Sequence, residues 1–223
     1  MSESGVVVIT GANRGIGLEL ARHYAREGNQ VIGVCRQSSD ELAEVAEQVI
    51  DGVDVTTSDG IEKLKAGLGG KTISLLINNA GLLQDEQLGS IDFDSIRTQM
   101  EINAYAPLRV AEALVPQMAQ GSKLANITSR MGSIADNDSG GRYGYRASKA
   151  ALNAFGKSLA VDLKPKGIAV AQLHPGYVQT RMVNFGGFIS PEESARGLAE
   201  RIANLNLENT GSFWHSNGEE LPW

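Results

Sequence analysis

Tyr143, Tyr145 and Lys149 fall within the stretch YGYRASKA, residues 143–150, where the chain offers acid–base chemistry. Lys149 follows Tyr145 by four residues, so on a helix the two side chains share one face. A free tyrosine titrates at about pH 10 and is a poor acid–base group at neutral pH. An adjacent ammonium stabilises the phenolate and lowers that value. Tyr145 paired with Lys149 is therefore a candidate proton donor to a carbonyl oxygen, and a proton acceptor in reverse. Tyr143 has Ala147 four residues on, so it lacks such a partner and is expected to line a pocket or pack at the helix start. A Y-x-x-x-K pair arises readily by chance and needs support from the rest of the chain.

A second group of residues suits an anion. TGANRGIG, residues 10–17, follows a β-branched run and opens a segment with Ile16, Leu20 and Tyr24 at helical spacing. Glycines in such a turn let backbone amides approach a pyrophosphate at a helix N-terminus, where a Cβ would intrude. The spacing Gly11, Gly15, Gly17 departs from G-x-G-x-x-G, and taken alone the stretch also reads as a plain tight turn. At the end of the second strand an acidic side chain usually holds a free ribose 2′-hydroxyl. Here stand Cys35 and Arg36, with Arg14 inside the turn. Two guanidinium groups suit a 2′-phosphate, which favours NADP(H) over NAD. The plain alternative for both is solvated surface charge.

The elements that must position these groups alternate. Strands are expected at Gly5–Thr10, Gln30–Cys35, Val53–Val55, Thr72–Asn78, Lys123–Thr128, Ile168–His174 and Ser212–His215. Helices are expected at 15–27, Ser39–Ile50, 58–67, Phe93–Ala119, 144–163 and Pro191–Leu205, with Pro107 and Pro116 as points where the long fourth helix bends or breaks. Alternation over the whole length argues for a parallel sheet with helices on both faces. At 223 residues, with no linker-like stretch, residues 1–223 read as one domain.

Composition narrows the partners. No stretch approaches the roughly 20 apolar residues of a membrane span, and MSESGVVVIT lacks the basic-then-apolar order of a secretory signal. Cys35 is the only cysteine, which rules out an intrachain disulfide and fits a cytoplasmic setting. The net charge of −6 argues against a nucleic-acid partner. His23, His174 and His215 lack metal-ligand spacing, so no metal is expected and all three read as structural.

TGANRGIG, NNAG (78–81), Asn103, Ser129, YRASK (145–149) and PGYVQT (175–180) together resemble the short-chain dehydrogenase/reductase family, in its order and near its spacing. The likeness runs from residue 5 to about residue 180, and more loosely to the end. SGGRYGYRASKAALN and the ending GEELPW look most like the small carbonyl-reductase branch that contains the Sniffer and C-factor proteins. The resemblance implies an α/β fold, a single doubly wound Rossmann domain with a parallel sheet of about seven strands and the ligand at their carboxyl ends. It implies that Tyr145 gives the proton in reduction, Ser129 polarises the carbonyl, and Lys149 holds the nicotinamide ribose and lowers the tyrosine pKa. Asn103 would complete a water relay to Lys149. Thr128 and Ser133 remain neighbours with competing claims to the role of Ser129, and Asn103 also suits a structural place within a helix.

The same likeness implies a cofactor site. Gly11, Asn13, Arg14, Gly15, Ile16 and Gly17 would form the turn over Ile9, and Arg36 would meet the phosphate. Asp54 and Val55 would flank the adenine, and Asn79, Ala80 and Gly81 the adjacent ribose. Pro175, Gly176, Val178 and Thr180 would lie beside the nicotinamide and pyrophosphate, in contact with Tyr145 and Lys149. The 16 residues from Ser129 to Tyr145 are a few more than the family's usual gap, and DNDSGGR is expected to edge the site. Met182, Val183, Phe185 and Phe188 offer an apolar wall, hinged at Gly186 and Gly187, for a small-molecule ketone, aldehyde or quinone. No cationic side chain is clearly placed to select an acid, with Arg142 and Arg181 as the two candidates. Ala104, Ala106, Ala111 and Ala113, with Ala147, Ala150, Ala151 and Ala154, would pack a homodimer or homotetramer, or else simply pack on the sheet. An NADPH-dependent carbonyl reductase is the first reading. A dinucleotide-binding sensor of C-factor type is the second, and a sugar-nucleotide epimerase, which shares Y-x-x-x-K but has a longer chain, the third.

Overall fold

The computed structural model describes residues 5–223; the first four residues, with which the stretch MSESGVVVIT begins, lie outside them. Seven strands form one parallel sheet in the order β3-β2-β1-β4-β5-β6-β7. They are β1 (Val6–Thr10), β2 (Gln30–Val34), β3 (Gln48–Ile50), β4 (Ile73–Asn78), β5 (Met118–Ile127), β6 (Ala169–His174) and β7 (Ser212–His215). The helices are α1 (Gly15–Arg26), α2 (Asp40–Val45), α3 (Ser58–Leu68), α4 (Phe93–Met100), α5 (Ala106–Leu114), α6 (Tyr143–Leu163) and α7 (Pro191–Asn204).

Both faces of the sheet are covered, which explains the unbroken apolar runs in its strands. Val7 and Ile9 of β1 pack with Leu20 of α1, Leu42 of α2 and Leu198 of α7. Val6 and Val8 face the other way, toward Leu64 of α3, Val110 of α5 and Leu163 of α6. The strand order reverses between β1 and β4, so a crevice opens at their carboxyl ends. Local chemistry sets several helix starts. Ser39, Thr57, Asp92 and Ser190 each accept a backbone N–H of the first turn.

Three expectations need correction. The helix expected over Ser39–Ile50 stops at Val45, and Gln48–Ile50 is the edge strand β3, paired with Ile32–Val34. A window this short satisfies both periods, and the β-branched Val49 and Ile50 settle it toward strand. The strand expected at Val53–Val55 is instead the turn before α3. The helix expected over Phe93–Ala119 ends at Leu114, where Val115–Gln117 makes a single 3-10 turn at Pro116. Strand β5 then begins five residues before the expected Lys123, absorbed by a register shift against β4 between Ile73 and Leu75. Within that helical run Glu101–Tyr105 winds as a π segment joining α4 to α5. Pro107 sits in the first turn of α5, directly after the π segment.

The alanine faces divide. Ala104, Ala106 and Ala111 are buried, Ala111 among the core residues on one face of the sheet, whereas Ala147 and Ala154 of α6 are exposed. No helix among the described residues is long and apolar enough to cross a membrane.

Candidate active site

The glycine turn closes directly on the carboxyl end of β1. Gly11 and Gly15 adopt φ of 65° and 55°, left-handed values that glycine takes without penalty. A Cβ on Gly17 would run into the Gly11 carbonyl and the Asn79 side chain. Helix α1 starts without a side-chain cap and without an acid in its first turn, so its leading N–H groups keep their capacity for an anion. Asn79 stitches this turn to β4. Its side chain donates to the Thr10 and Gly11 carbonyls at 3.0 and 3.1 Å, and its N–H donates to the Thr10 hydroxyl at 3.0 Å. Thr180 approaches from the far side, 3.5 Å from where a Gly15 Cβ would stand. An uncapped helix start and a cradle that a Cβ would fill fit a dinucleotide's phosphates.

Arg14 and Arg36 are both exposed beside this cradle, and neither makes an ion pair among the described residues. Asn13 ties their two loops together, donating to the Gln37 carbonyl at 2.9 Å while its own carbonyl accepts from Ser39 at 2.9 Å. Asp54 accepts from the Thr56 hydroxyl at 2.6 Å and from its N–H at 2.9 Å. Those bonds hold its carboxyl below the usual range, with Arg36 adding to the effect. Val55 is half-buried next to it. Gly81 lies between Asn103 and Lys149, where an added Cβ would stand 3.4 Å from Asn103 Oδ1 and 3.7 Å from Lys149 Nζ.

Two tyrosines close in sequence separate sharply in space. Tyr145 is 8% exposed, whereas Tyr143 is 39% exposed at the surface. Lys149 Nζ stands 5.8 Å from the Tyr145 ring centroid and donates to the Ile127 carbonyl at 2.9 Å. Burial pushes the Tyr145 phenol up, while the Ser129 hydroxyl beside it and the Arg142 charge pull it down. Burial also pushes Lys149 down, to about 8.

Ser129 is singled out from its neighbours by what they do. Thr128 donates to Asn153 at 2.7 Å, and Ser133 accepts the Asp136 N–H at 3.1 Å. Ser129 accepts only the Met131 N–H, at 3.1 Å, in the 3-10 turn Arg130–Gly132. That turn seats on α6 because Gly132 brings no Cβ against the Lys149 backbone. Asn103, on the π segment, uses its side chain as a clamp. It accepts from Leu82 N–H at 2.7 Å and donates to the Leu82 carbonyl at 2.7 Å and to Ser148 at 3.0 Å.

The mouth is apolar and open. Tyr177 and Phe188 meet edge to face at 5.2 Å, and Met182, Phe185 and Phe188 are exposed. Pro175 and Gly176 turn β6 into this segment, with Gly176 at φ 89°, and Val178 is buried beneath it. Arg142 is tied to Asp85 at 2.5 Å, while Arg181 makes no ion pair among the described residues. His174 packs edge to face on His215 at 4.7 Å, and burial first, with the neighbouring positive charges, holds it neutral, down to about 3. The described residues contain no group of three or more His, Cys, Asp or Glu side chains able to hold a metal. One buried residue of this region escaped the sequence reading. Glu86, in the acidic-looking stretch QDEQ, is 2% exposed at the foot of α6; nothing local in its sequence marks it, because its partners lie in α4 and α6.

Comparison with known proteins adds five findings. The family model described as short chain dehydrogenase matches residues 5–186. The 1-hydroxy-2-glutathionyl-2-methyl-3-butene dehydrogenase of Rhodococcus sp. (strain AD45) is 41% identical over 97% of this chain and 99% of its own. The C-signal protein of Myxococcus xanthus is 43% identical over 68% of this chain and 93% of its own. Among solved structures, the carbonyl reductase Sniffer of D. melanogaster superposes with a TM-score of 0.88 at 28% identity, covering 99% of both chains. A carbonyl reductase from Pseudomonas aeruginosa PAO1 in complex with NADP superposes with a TM-score of 0.87 at 35% identity, covering 99% of this chain and 100% of its own.

Proposed function

The chain belongs to the short-chain dehydrogenase family, and on that premise we propose that it reduces a ketone, aldehyde or quinone with NADPH, reversibly, with Tyr145 as proton donor. The observation that carries this reading is the buried Tyr145 phenol, with Ser129 beside it and Lys149 on the same helix face, at the strand ends that also hold the glycine turn. A bound nicotinamide supplies or accepts the hydride. Ser129 donates to the carbonyl oxygen and withdraws charge from it. Tyr145 gives that oxygen its proton, and Lys149 holds positive charge where the phenolate forms. Asn103 fixes Leu82 and Ser148 around Lys149 with its side chain, so any water relay to the lysine would run from its main chain. Gly11, Asn13, Gly15, Ile16, Gly17, Asn79, Ala80, Gly81 and Thr180 hold the phosphates and ribose, Asp54 and Val55 the adenine, and Pro175, Gly176 and Val178 the nicotinamide side.

NADP rather than NAD follows from two unpaired guanidinium groups and no acid at the end of β2. The test is loss of NADPH absorbance with a panel of ketones, aldehydes and quinones, and its gain from NADP⁺ with alcohols, glutathione-conjugated ones included. Arg36→Asp removes one charge-assisted contact worth about 1.5–3 kcal/mol, so the preference for NADPH over NADH is expected to fall by about 10- to 100-fold. An unchanged ratio of the two affinities would show that Arg36 does not read the phosphate.

The likeness to the C-signal protein favours a second reading, a dinucleotide-binding sensor. Tight NADPH binding without turnover across the panel would favour it. The exposed Ala147 and Ala154 and the Tyr105–Phe155 ring pair, 6.2 Å apart, belong in this proposal to a homodimer face made by α6 and the π segment. Light scattering should then give the mass of two chains, and Ala154→Arg the mass of one. A cytoplasmic setting completes the proposal, since the buried Cys35 thiol needs no oxidising compartment.

A further inference from the structure

Helix α6 carries Tyr145 yet lacks the usual means of starting. Its first turn has no acid, its N-cap Arg142 offers no side-chain bond, and that residue sits in the left-handed region at φ 48°. The leading N–H groups of a helix need acceptors and favour negative charge nearby. Glu86 provides both from 58 residues away. Its carboxylate accepts the Gly144 N–H at 3.0 Å through one oxygen. The other accepts Gln99 Nε2 at 2.5 Å and the Ser95 hydroxyl at 2.6 Å. Its main-chain carbonyl accepts the Arg142 N–H at 2.8 Å.

Space at this junction is equally constrained. A Cβ on Gly144 would lie 2.6 Å from Gln99 Nε2 and 3.0 Å from Glu86 Oε1, so α4 and α6 meet at a glycine. Tyr145 is the very next residue. A carboxylate buried here, with every bond directed at α4 or at the first turn of α6, fixes where the phenol stands relative to Ser129. We infer that Glu86 is a positioning residue for Tyr145, a long-range cap that locks the start of α6 onto α4. The inference rests on Tyr145 being the proton donor.

The test compares Glu86→Gln with the exchanged pair Glu86→Gln/Gln99→Glu, by kinetics and by amide deuterium exchange over residues 143–147. Glutamine at 86 must turn its NH₂ toward either the Gly144 N–H or the Gln99 NH₂, so one donor faces another. Exchange in the first turn should rise, and kcat should fall by about ten- to a hundred-fold, as for a misplaced catalytic group, with KM and NADPH affinity within about twofold. The exchanged pair restores a matched set of donors and acceptors, and both exchange and kcat should return toward wild type. A general loss of stability would instead persist in the pair. Exchange and kcat unchanged in Glu86→Gln, or a loss that the pair fails to rescue, overturns the inference. If wild type reduces nothing, the proposed reaction fails, and the exchange data alone still decide whether Glu86 caps α6. Should Glu86→Gln not fold, Ser95→Ala removes one donor from the same carboxylate. It should then raise exchange and lower kcat by a few fold, and no change in either sinks the idea.

Discussion

Tyr145→Phe is expected to lower turnover by about 10²- to 10⁴-fold, the usual contribution of a positioned acid–base group, while NADPH still binds. The substitution removes one O–H from a ring that is 8% exposed and leaves its packing intact. Ser129 keeps its bond from the Met131 N–H, so the loss reports the phenol and not a collapsed pocket. Tyr143→Phe serves as the internal control. Its side chain is 39% exposed, and its removal should change kcat by no more than about twofold, as surface changes away from a site generally do. Equal losses in both variants would end the assignment. The pH dependence carries a sign of its own. Burial raises the phenol of Tyr145, with Ser129 and Arg142 opposing. In reduction the donor must be protonated and Lys149 charged, so the rate should hold through neutral pH and begin to fall as pH passes about 8, where Lys149 loses its proton, before the phenol itself titrates. In alcohol oxidation the phenolate is the base, so the rate should climb as pH rises toward the raised phenol value.

Much of this site was legible in the sequence because its signals are local. The i, i+4 spacing of Tyr145 and Lys149 and the glycines after β1 are short-range patterns, and the structure brings those groups to the same strand ends. Which way the tyrosine pKa moves was not legible. Sequence spacing suggests a phenol lowered by its lysine, but the ammonium is aimed at the Ile127 carbonyl and burial is the larger effect on the phenol. For the serine, the resemblance points to Ser129 after the strand NIT while Thr128 and Ser133 keep competing claims, and in the structure those two have partners of their own. Strand β3 lies away from its expected place at Val53–Val55 because residues 46–50 satisfy two periods, and the fourth helix is shorter than its expected span because, of the bend or break that Pro116 allows, the fold takes the break. Glu86 stayed hidden for a different reason. Its role depends on Gly144, 58 residues downstream, and an acid among polar neighbours looks like solvated surface until the fold encloses it.

Lys149→Met should lower turnover by about a hundredfold or more and yet leave the protein as stable as wild type, or more so, near neutral pH. The lysine is 4% exposed, and burial is the one cause that moves it, from 10.5 down to about 8. A folded value below the unfolded one means that the unfolded chain binds more protons between the two. The charged group therefore opposes folding in full below about pH 8, by about 3 kcal/mol, and progressively less as pH rises toward its unfolded value. Methionine removes that opposition and fills similar space, at the cost of the bond to Ile127, worth about 1.5–3 kcal/mol for a charged donor. The two are close in size, so the melting temperature near pH 7 should match or exceed wild type. The difference should then shift in favour of wild type near pH 10, where its lysine is neutral. A methionine variant that melts well below wild type near neutral pH, with a gap that pH does not move, would make Lys149 a structural residue. The expected result would mean that the fold tolerates a destabilising buried charge, one with no carboxylate partner among the described residues, where it stands 5.8 Å from the Tyr145 ring, as the proposed proton transfer needs.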